Sequence, residues 1–339
     1  MQKLLLLGDE AIAQGALDGG ISGIYAYPGT PSTEITEYVQ GSKFAQDNNI
    51  HSDWSANEKT AMEAGLGMSY AGKRAMVCMK HVGLNVAADA FVNSSITGVN
   101  GGLIVVSADD PSMHSSQNEQ DSRFYGNFAM IPMLEPVDQQ EAYEMAYHGF
   151  ELSEKYKLPV LLRVTTRLAH SRAVVQTLEQ KKQNEVSIPS NPTQFVLLPS
   201  IARKQYKTLL NIQDAIEKAS EDSKFNKYID GSDKSLGIIA PGIALNYLME
   251  NFQDKELNHP VLKIGQYPIP RKQIMKSHFY AYISKIRWLQ RWGLKRNTIS
   301  ENVMEHSWEV ATIAHALALI RNRYFEGDLD VNAIVVAAL

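Results

Sequence analysis

Over roughly its first 170 residues the chain alternates short apolar runs with longer stretches of helical period. No other feature restricts the fold as much. Apolar runs occur at 23–27, 74–80, 102–107 and 158–163, with a shorter strand-like piece at 50–54. Between them lie helical patterns at 31–47, 57–71, 83–95 and 139–155. Strands alternating with helices of this length predict βαβ units and a mainly parallel sheet. In such sheets a ligand lies beyond the carboxyl ends of the strands. Here those ends are rich in Gly, Pro and small polar residues: YPGTPSTE, HVGLN and ADDPSMHSSQNEQDSR.

The remainder divides into three. The polar segment 173–195 reads as a linker after a first domain at 1–172. Residues 196–272 carry a charged helix at 202–222, a strand, glycine turn and helix in SLGIIAPGIALNYLMENF, and a strand at 261–265, which predicts a partial second α/β domain. From 275 to 339 the texture becomes basic, aromatic and amphipathic, without Gly-rich strand ends, and predicts an all-α fragment. Its last apolar stretch, 332–339, has no helix stop and reads as unfinished. A length of 339 residues suits at least two domains.

Charge and cysteine use exclude several classes. A net charge of −4 gives no reason to expect nucleic-acid or membrane binding. No apolar run approaches the ~20 residues of a membrane span, and MQKLLLLGDEA is too short for a secretory signal. A cytoplasmic protein is expected. The lone Cys78 can form no internal disulfide and cannot by itself hold zinc or an iron–sulfur cluster. Its setting, RAMVCMK, reads as a buried strand with a structural thiol.

Several strand-end residues allow two readings. Ser55-x-x-Glu58 has the spacing of a capping box, yet it also sets a carboxylate at the mouth of a small-residue helix. Thr30, Ser32 and Thr33, flanked by two prolines, make a good helix start and also face the strand ends. His81 follows a strand, as a packed histidine or a ligand-facing one. Arg123, in an acidic loop, reads as a surface ion pair ahead of an anion clamp.

Taken in order, YAYPGTPSTEI, WSANEKTAMEAGLGMSYAG, MKHVGLNVAAD, GGLIVVSADDPSMHSSQNEQDSR and LPVLLRVTTRLAHSR closely resemble the α subunits of indolepyruvate ferredoxin oxidoreductases. These are thiamine diphosphate-dependent 2-oxoacid:ferredoxin oxidoreductases. The resemblance spans about 1–272 and is densest to Arg172. It implies that 1–172 is a pyrimidine-binding domain, followed by a partial transketolase-C-terminal-like domain. Glu58 matches the glutamate that hydrogen-bonds the aminopyrimidine ring and promotes ylide formation, a role that needs a proton shared in a dry pocket. Thr30 and Ser32 match a loop facing the substrate carboxylate, with Arg123 a further candidate. His81 and Asn85 match a loop near the cofactor. Implied partners are a β subunit, ferredoxin, an aryl 2-oxo acid and coenzyme A. A homo-oligomer is compatible with this but would not complete the site. The resemblance departs in two places: no GDG marks a diphosphate and Mg²⁺ site, and the Cys-rich iron–sulfur tail has no counterpart. The expectation is half of an active site.

From Met275 the resemblance switches to the N-terminus of the bacterial 5′-deoxynucleotidases of the HD-domain phosphohydrolase superfamily, carried by MKSHFYAYISKIRWLQRWGLKRNTISENVMEHSWEVATIAHALALIRNRYF. It implies nucleotide contacts at Arg291 and Trp292 and a first divalent-metal ligand at His306. Trp288 and Trp292, four apart, equally suit a helical core face. His315, nine residues after His306, is half a turn out of phase and cannot share the ion. The family's His-Asp pair would fall beyond Leu339. The readings are thus an oxidoreductase pyrimidine domain, a metal-dependent nucleotidase, or an inert fusion of two fragments. We expect the purified chain to release no phosphate from 5′-dAMP with Co²⁺ or Mn²⁺; phosphate release overturns the incomplete-site reading of the tail.

Overall fold

The computed structural model describes residues 2–254 and 256–269. The alternation read from the sequence folds into a seven-stranded sheet. An opening strand, β1 (Lys3–Leu7), and helix α1 (Gly8–Asp18) precede it. Then follow β2 (Gly23–Ala26), α2 (Thr33–Gly41), α3 (Lys43–Asp47), β3 (His51–Trp54), α4 (Glu58–Tyr70), β4 (Ala75–Lys80) and α5 (His81–Thr97). The pattern continues with β5 (Leu103–Asp109), α6 (Arg123–Ala129), β6 (Met133–Leu134), α7 (Gln139–Tyr156), β7 (Val160–Thr165), α8 (Thr166–Ala169) and β8 (Arg172–Gln176). Strands β6-β7-β5-β4-β2-β3 pair in that order, all parallel.

Helices on both faces explain why AMVCMK and LIVVSAD are almost wholly apolar. Strands covered on both sides have no solvent face to keep polar. On one face Ile12, Ile24, Cys78, Ile104, Tyr143 and Phe150 pack together under α1, α2 and α7. On the other, Met62, Val77, Phe91 and Val105 pack under α4 and α5. Cys78 is fully buried, as its sequence setting predicts. Among the described residues no helix is long and apolar enough to cross a membrane.

Three expectations are revised. The single helix expected at 31–47 breaks at Ser42, whose hydroxyl accepts from Ala45 N (3.3 Å) and caps a new helix. The helix expected at 202–222 is two, α9 (Pro199–Asn211) and α10 (Gln213–Glu221). The segment expected as a linker is a strap. β8 pairs antiparallel with β1 from Lys3–Gln176 to Leu7–Arg172. Beyond it Lys181 N donates to Asp18 O (2.7 Å), Asn184 to Glu154 (2.8 Å) and Ser187 N to Ala71 O (2.8 Å).

The second unit is tied into the first. It contains β9 (Lys227–Ile229), β10 (Ile238–Pro241), α11 (Ala244–Glu250), β11 (Val261–Ile264) and β12 (Gln266–Tyr267). The first two strands and β11 form their own sheet, β10-β11-β9. β12 leaves it and adds antiparallel to β6, completing the main sheet. Leu209 and Ile216 of α9 and α10 enter the core on the α4–α5 face.

A buried ionic network sits where the two units meet. Arg163 on β7 donates through Nε to Asp109 (2.7 Å) and through Nη1 to Glu135. Glu135 also accepts from the Tyr267 hydroxyl (2.7 Å), and Gly242, at φ +47, lies so close that a Cβ would stand 2.6 Å from the Glu135 Cγ. Burial pushes the Asp109 carboxyl up, against the pull of Arg163 and Ser122. Removing one partner of such a set leaves uncompensated buried charge, at a cost of about 3–5 kcal/mol. We therefore expect Arg163→Leu to lower unfolding stability in urea by about that amount. A loss under ~1 kcal/mol, typical of exposed pairs, overturns this role for the network.

Candidate functional site

In the sheet order the crossover from β2 runs to β3 on one side, and that from β4 runs through α5 to β5 on the other. The carboxyl ends of β2 and β4 therefore flank a crevice at the switch in direction, where open α/β sheets bind ligands. Four segments from distant parts of the chain meet there.

Glu58 comes from the segment after β3. The cap of α4 is Asn57, whose Oδ1 accepts from Thr60 N (3.0 Å) and Thr60 Oγ1 (2.9 Å). The capping box expected for Ser55 and Glu58 is thus replaced. Glu58 is the first helical residue, two positions too early to serve as the box's acid. Its half-buried carboxyl group lies against α5 at Gly83, where a Cβ would stand 2.5 Å from Glu58 Oε1 and 2.9 Å from Cδ. Only a residue without a side chain leaves that space. Among the described residues, no donor lies within hydrogen-bond reach of the Glu58 carboxylate.

His81 opens α5 directly at the end of β4 and is buried, 1% exposed. Nε2 lies 3.1 Å from the Asn118 carbonyl. A carbonyl only accepts, so Nε2 carries the proton and Nδ1 is a bare acceptor, buried without a partner. One turn later Asn85 is exposed and accepts from the Tyr125 hydroxyl. Thr30 is exposed at the tip of the β2 loop, while Ser32 is buried and donates to Gly29 O (2.8 Å), closing that loop. Lys80 Nζ donates to Ser115 O (2.6 Å), and Ser115 Oγ reaches Thr30 O (3.4 Å). Glu58, Thr30, His81 and Asn85 thus lie beyond the carboxyl ends of β3, β2 and β4, Thr30 in a loop and the other three near the starts of α4 and α5.

Arg123 does not join them. It is forked onto Asp121 through Nε (2.8 Å) and Nη2 (2.6 Å), with Glu135 3.5 Å from Nη1. The ion-pair reading holds, in a partly buried form, and the anion-clamp expectation is withdrawn: its fork already faces carboxylates. Arg291, Trp292 and His306 lie outside the described residues.

Residues 14–222 match the family described as pyruvate flavodoxin/ferredoxin oxidoreductase, thiamine diP-binding. Residues 278–339 match that described as 5′-deoxynucleotidase YfbR-like. The chain is 44% identical over 271 residues to the indolepyruvate oxidoreductase subunit IorA of Methanothermobacter marburgensis, covering 79% of this chain and 44% of that one. The chain therefore spans less than half the length of this curated relative. A 64-residue portion, 19% of the chain, is 50% identical to a 5′-deoxynucleotidase of Pectobacterium atrosepticum, covering 32% of it. In fold, the chain is similar to the 2-oxoglutarate:ferredoxin oxidoreductase from Magnetococcus marinus. The TM-score is 0.65 at 18% identity, over 81% of this chain and 56% of that one.

Sequence reading missed Lys80, Gly83, Asp110, Asn118 and Tyr125. Of these Asp110 organises the crevice. Its carboxylate accepts from Ser116 Oγ (2.6 Å), Ser115 N (2.8 Å), Thr166 Oγ1 (2.9 Å) and His114 N (3.2 Å). Burial opposes its ionisation, but these donors outweigh burial and hold the carboxyl well below the usual carboxylate range. A group held down in this way stabilises the fold at every pH above its ordinary value, near 3.9. That stability is lost as pH falls toward the folded value. We expect Asp110→Asn at pH 7 to raise amide exchange across 112–118 about tenfold, the worth of one charge-assisted hydrogen bond. Wild type should move the same way on acidification below about pH 4. Unchanged exchange in the variant overturns the anchoring role.

Proposed function

The chain belongs to the thiamine diP-binding pyruvate flavodoxin/ferredoxin oxidoreductase family, and on that premise we propose that it forms the pyrimidine side of a thiamine diphosphate site for oxidative decarboxylation of a 2-oxo acid. The observation carrying this reading is the Glu58 carboxyl group, relieved of capping by Asn57 and set over the bare backbone of Gly83 without a hydrogen-bond partner among the described residues. An acid in that position can share a proton with a ring nitrogen. The unpartnered Nδ1 of His81 offers an acceptor nearby, and Asn85 and Thr30 present polar groups to the same crevice. When bound, thiamine diphosphate supplies the electron sink that lets a 2-oxo acid lose carbon dioxide. The part of this chain is to orient the ring, hold the proton at Glu58 and screen the crevice from water through the 110–122 loop.

We assign the diphosphate and Mg²⁺ contacts to a complementing polypeptide, because the sequence contains no GDG motif. The same assembly would supply the iron–sulfur centres, a β subunit, coenzyme A binding and transfer to ferredoxin. An aryl 2-oxo acid of the indolepyruvate type is the substrate we favour, after the Methanothermobacter relative. The match of residues 278–339 favours a second reading for the tail alone. In it Arg291 and Trp292 bind a nucleotide and His306 offers one divalent-metal ligand, without hydrolysis.

In the enzyme assembled with its diphosphate-binding polypeptide, Glu58→Gln keeps the shape but removes the proton. We expect it to lower kcat by about a hundredfold or more, the usual worth of a positioned acid. Gly83→Ala would drive a methyl group into the Glu58 carboxyl and lower cofactor affinity. Wild-type turnover in the Gln variant overturns the role of Glu58. Tight binding of thiamine diphosphate and Mg²⁺ by the isolated chain overturns the division of the site between polypeptides.

A further inference from the structure

On the face of the sheet opposite Glu58, the first turns of α1 and α2 meet the end of α8. Asp9, Glu34 and His170 converge there, one ligand atom from each lying within 4.8 Å of the others. Asp9 is 0% exposed, and neither of its carboxylate oxygens has a hydrogen-bond partner. Glu34 Oε2 is likewise buried and unpartnered. Glu34 Oε1 stands 3.6 Å from His170 Nε2, beyond a hydrogen bond. Among the described residues no lysine or arginine pairs with Asp9 or Glu34. The neighbouring groups add no positive charge. Glu10 accepts from Leu7 N (2.8 Å), and the buried Cys78 thiol is pushed up first by burial and then by Asp9.

A buried carboxylate with no donor, beside a second carboxylate, needs either a proton or a cation. A proton shared between the two carboxylates would leave the imidazole nitrogen and two carboxylate oxygens without a role. We propose that Asp9, Glu34 and His170 bind one divalent first-row transition metal ion. Two carboxylates and an imidazole suit Zn²⁺, Mn²⁺, Fe²⁺ or Co²⁺, whereas Mg²⁺ and Ca²⁺ favour all-oxygen sets. Metal–donor distances of about 2.0–2.2 Å would draw the three atoms together by roughly an ångström. The Glu34 and His170 side chains are 35% and 36% exposed, so the outer side of the ion stays open to water. The ligands come from three separate elements. The ion therefore clamps α1, α2 and α8 together and fixes the base of the loop that carries Thr30. None of this depends on the thiamine reading.

The test is Co²⁺ titration of the full chain after chelator treatment, followed by visible absorption and calorimetry. His306→Ala serves as the background that removes any uptake by the tail. One Co²⁺ per chain is expected in both wild type and His306→Ala, undisturbed by excess Mg²⁺, with a rise in Tm. Glu34→Gln and His170→Ala alter partly exposed positions and should leave the circular dichroism spectrum unchanged. Each should weaken Co²⁺ binding at least tenfold and abolish the rise in Tm. Two results overturn the proposal. One is no uptake in His306→Ala, which is what a proton shared between Asp9 and Glu34 would give. The other is uptake that Glu34→Gln and His170→Ala leave unchanged.

Discussion

The guanidinium of Arg163 holds the carboxyl end of the sheet in register. It bridges Asp109 at the end of β5 and Glu135 just after β6, and Glu135 in turn takes the hydroxyl of Tyr267 from β12. Three strands and the second unit thereby converge on one buried cation. Charges placed there are tolerable only when every one is answered. Asp109 also accepts from Ser122 N (3.1 Å), so the same network fixes where the long 110–122 loop ends. Asp110, next in the chain, fixes where that loop begins. A loop pinned at both ends can present Ser115 and Asn118 to Lys80 and His81 at defined distances.

The parallel sheet was legible because its central strands are continuous apolar runs flanked by helical periods. β6 and β12, at two residues each, are too short to carry a period, and their pairing depends on contacts more than 130 residues apart. Most of the strap falls within 173–195, which reads as a linker because polar residues dominate it. Their hydrogen bonds to backbone and to Glu154 are what polar residues can make against a domain surface as readily as against water. The strand-end loops were recognisable from Gly, Pro and small polar residues. The bonds between them were not, since Lys80 meets Ser115 and Tyr125 meets Asn85 only through the fold.

Glu58 shows how a local rule can mislead at a functional position. Ser55 and Glu58 have the spacing of a capping box, yet Asn57 is a good N-cap residue standing between them. Once Asn57 takes the amide of Thr60, the glutamate moves to the first helical position and faces α5. Arg123 went the other way. Its acidic surroundings, visible in the sequence as DSR, already named its partner. The signal that separates the two residues is whether a nearer group satisfies the local demand.

β12 also bears on how the molecule meets its surroundings. By adding antiparallel to β6 it covers the edge that a two-residue strand would otherwise leave open. At the other margin, β3 has four residues, with the side chains of His51 and Asp53 exposed. On the outer side of β12, Gln266 donates its N–H to Asn226 Oδ1 (2.9 Å) and accepts from Ser220 Oγ (2.8 Å), so among the described residues the margin left without partners is the short, polar β3. Edge-to-edge pairing between copies is therefore disfavoured at both ends of the sheet.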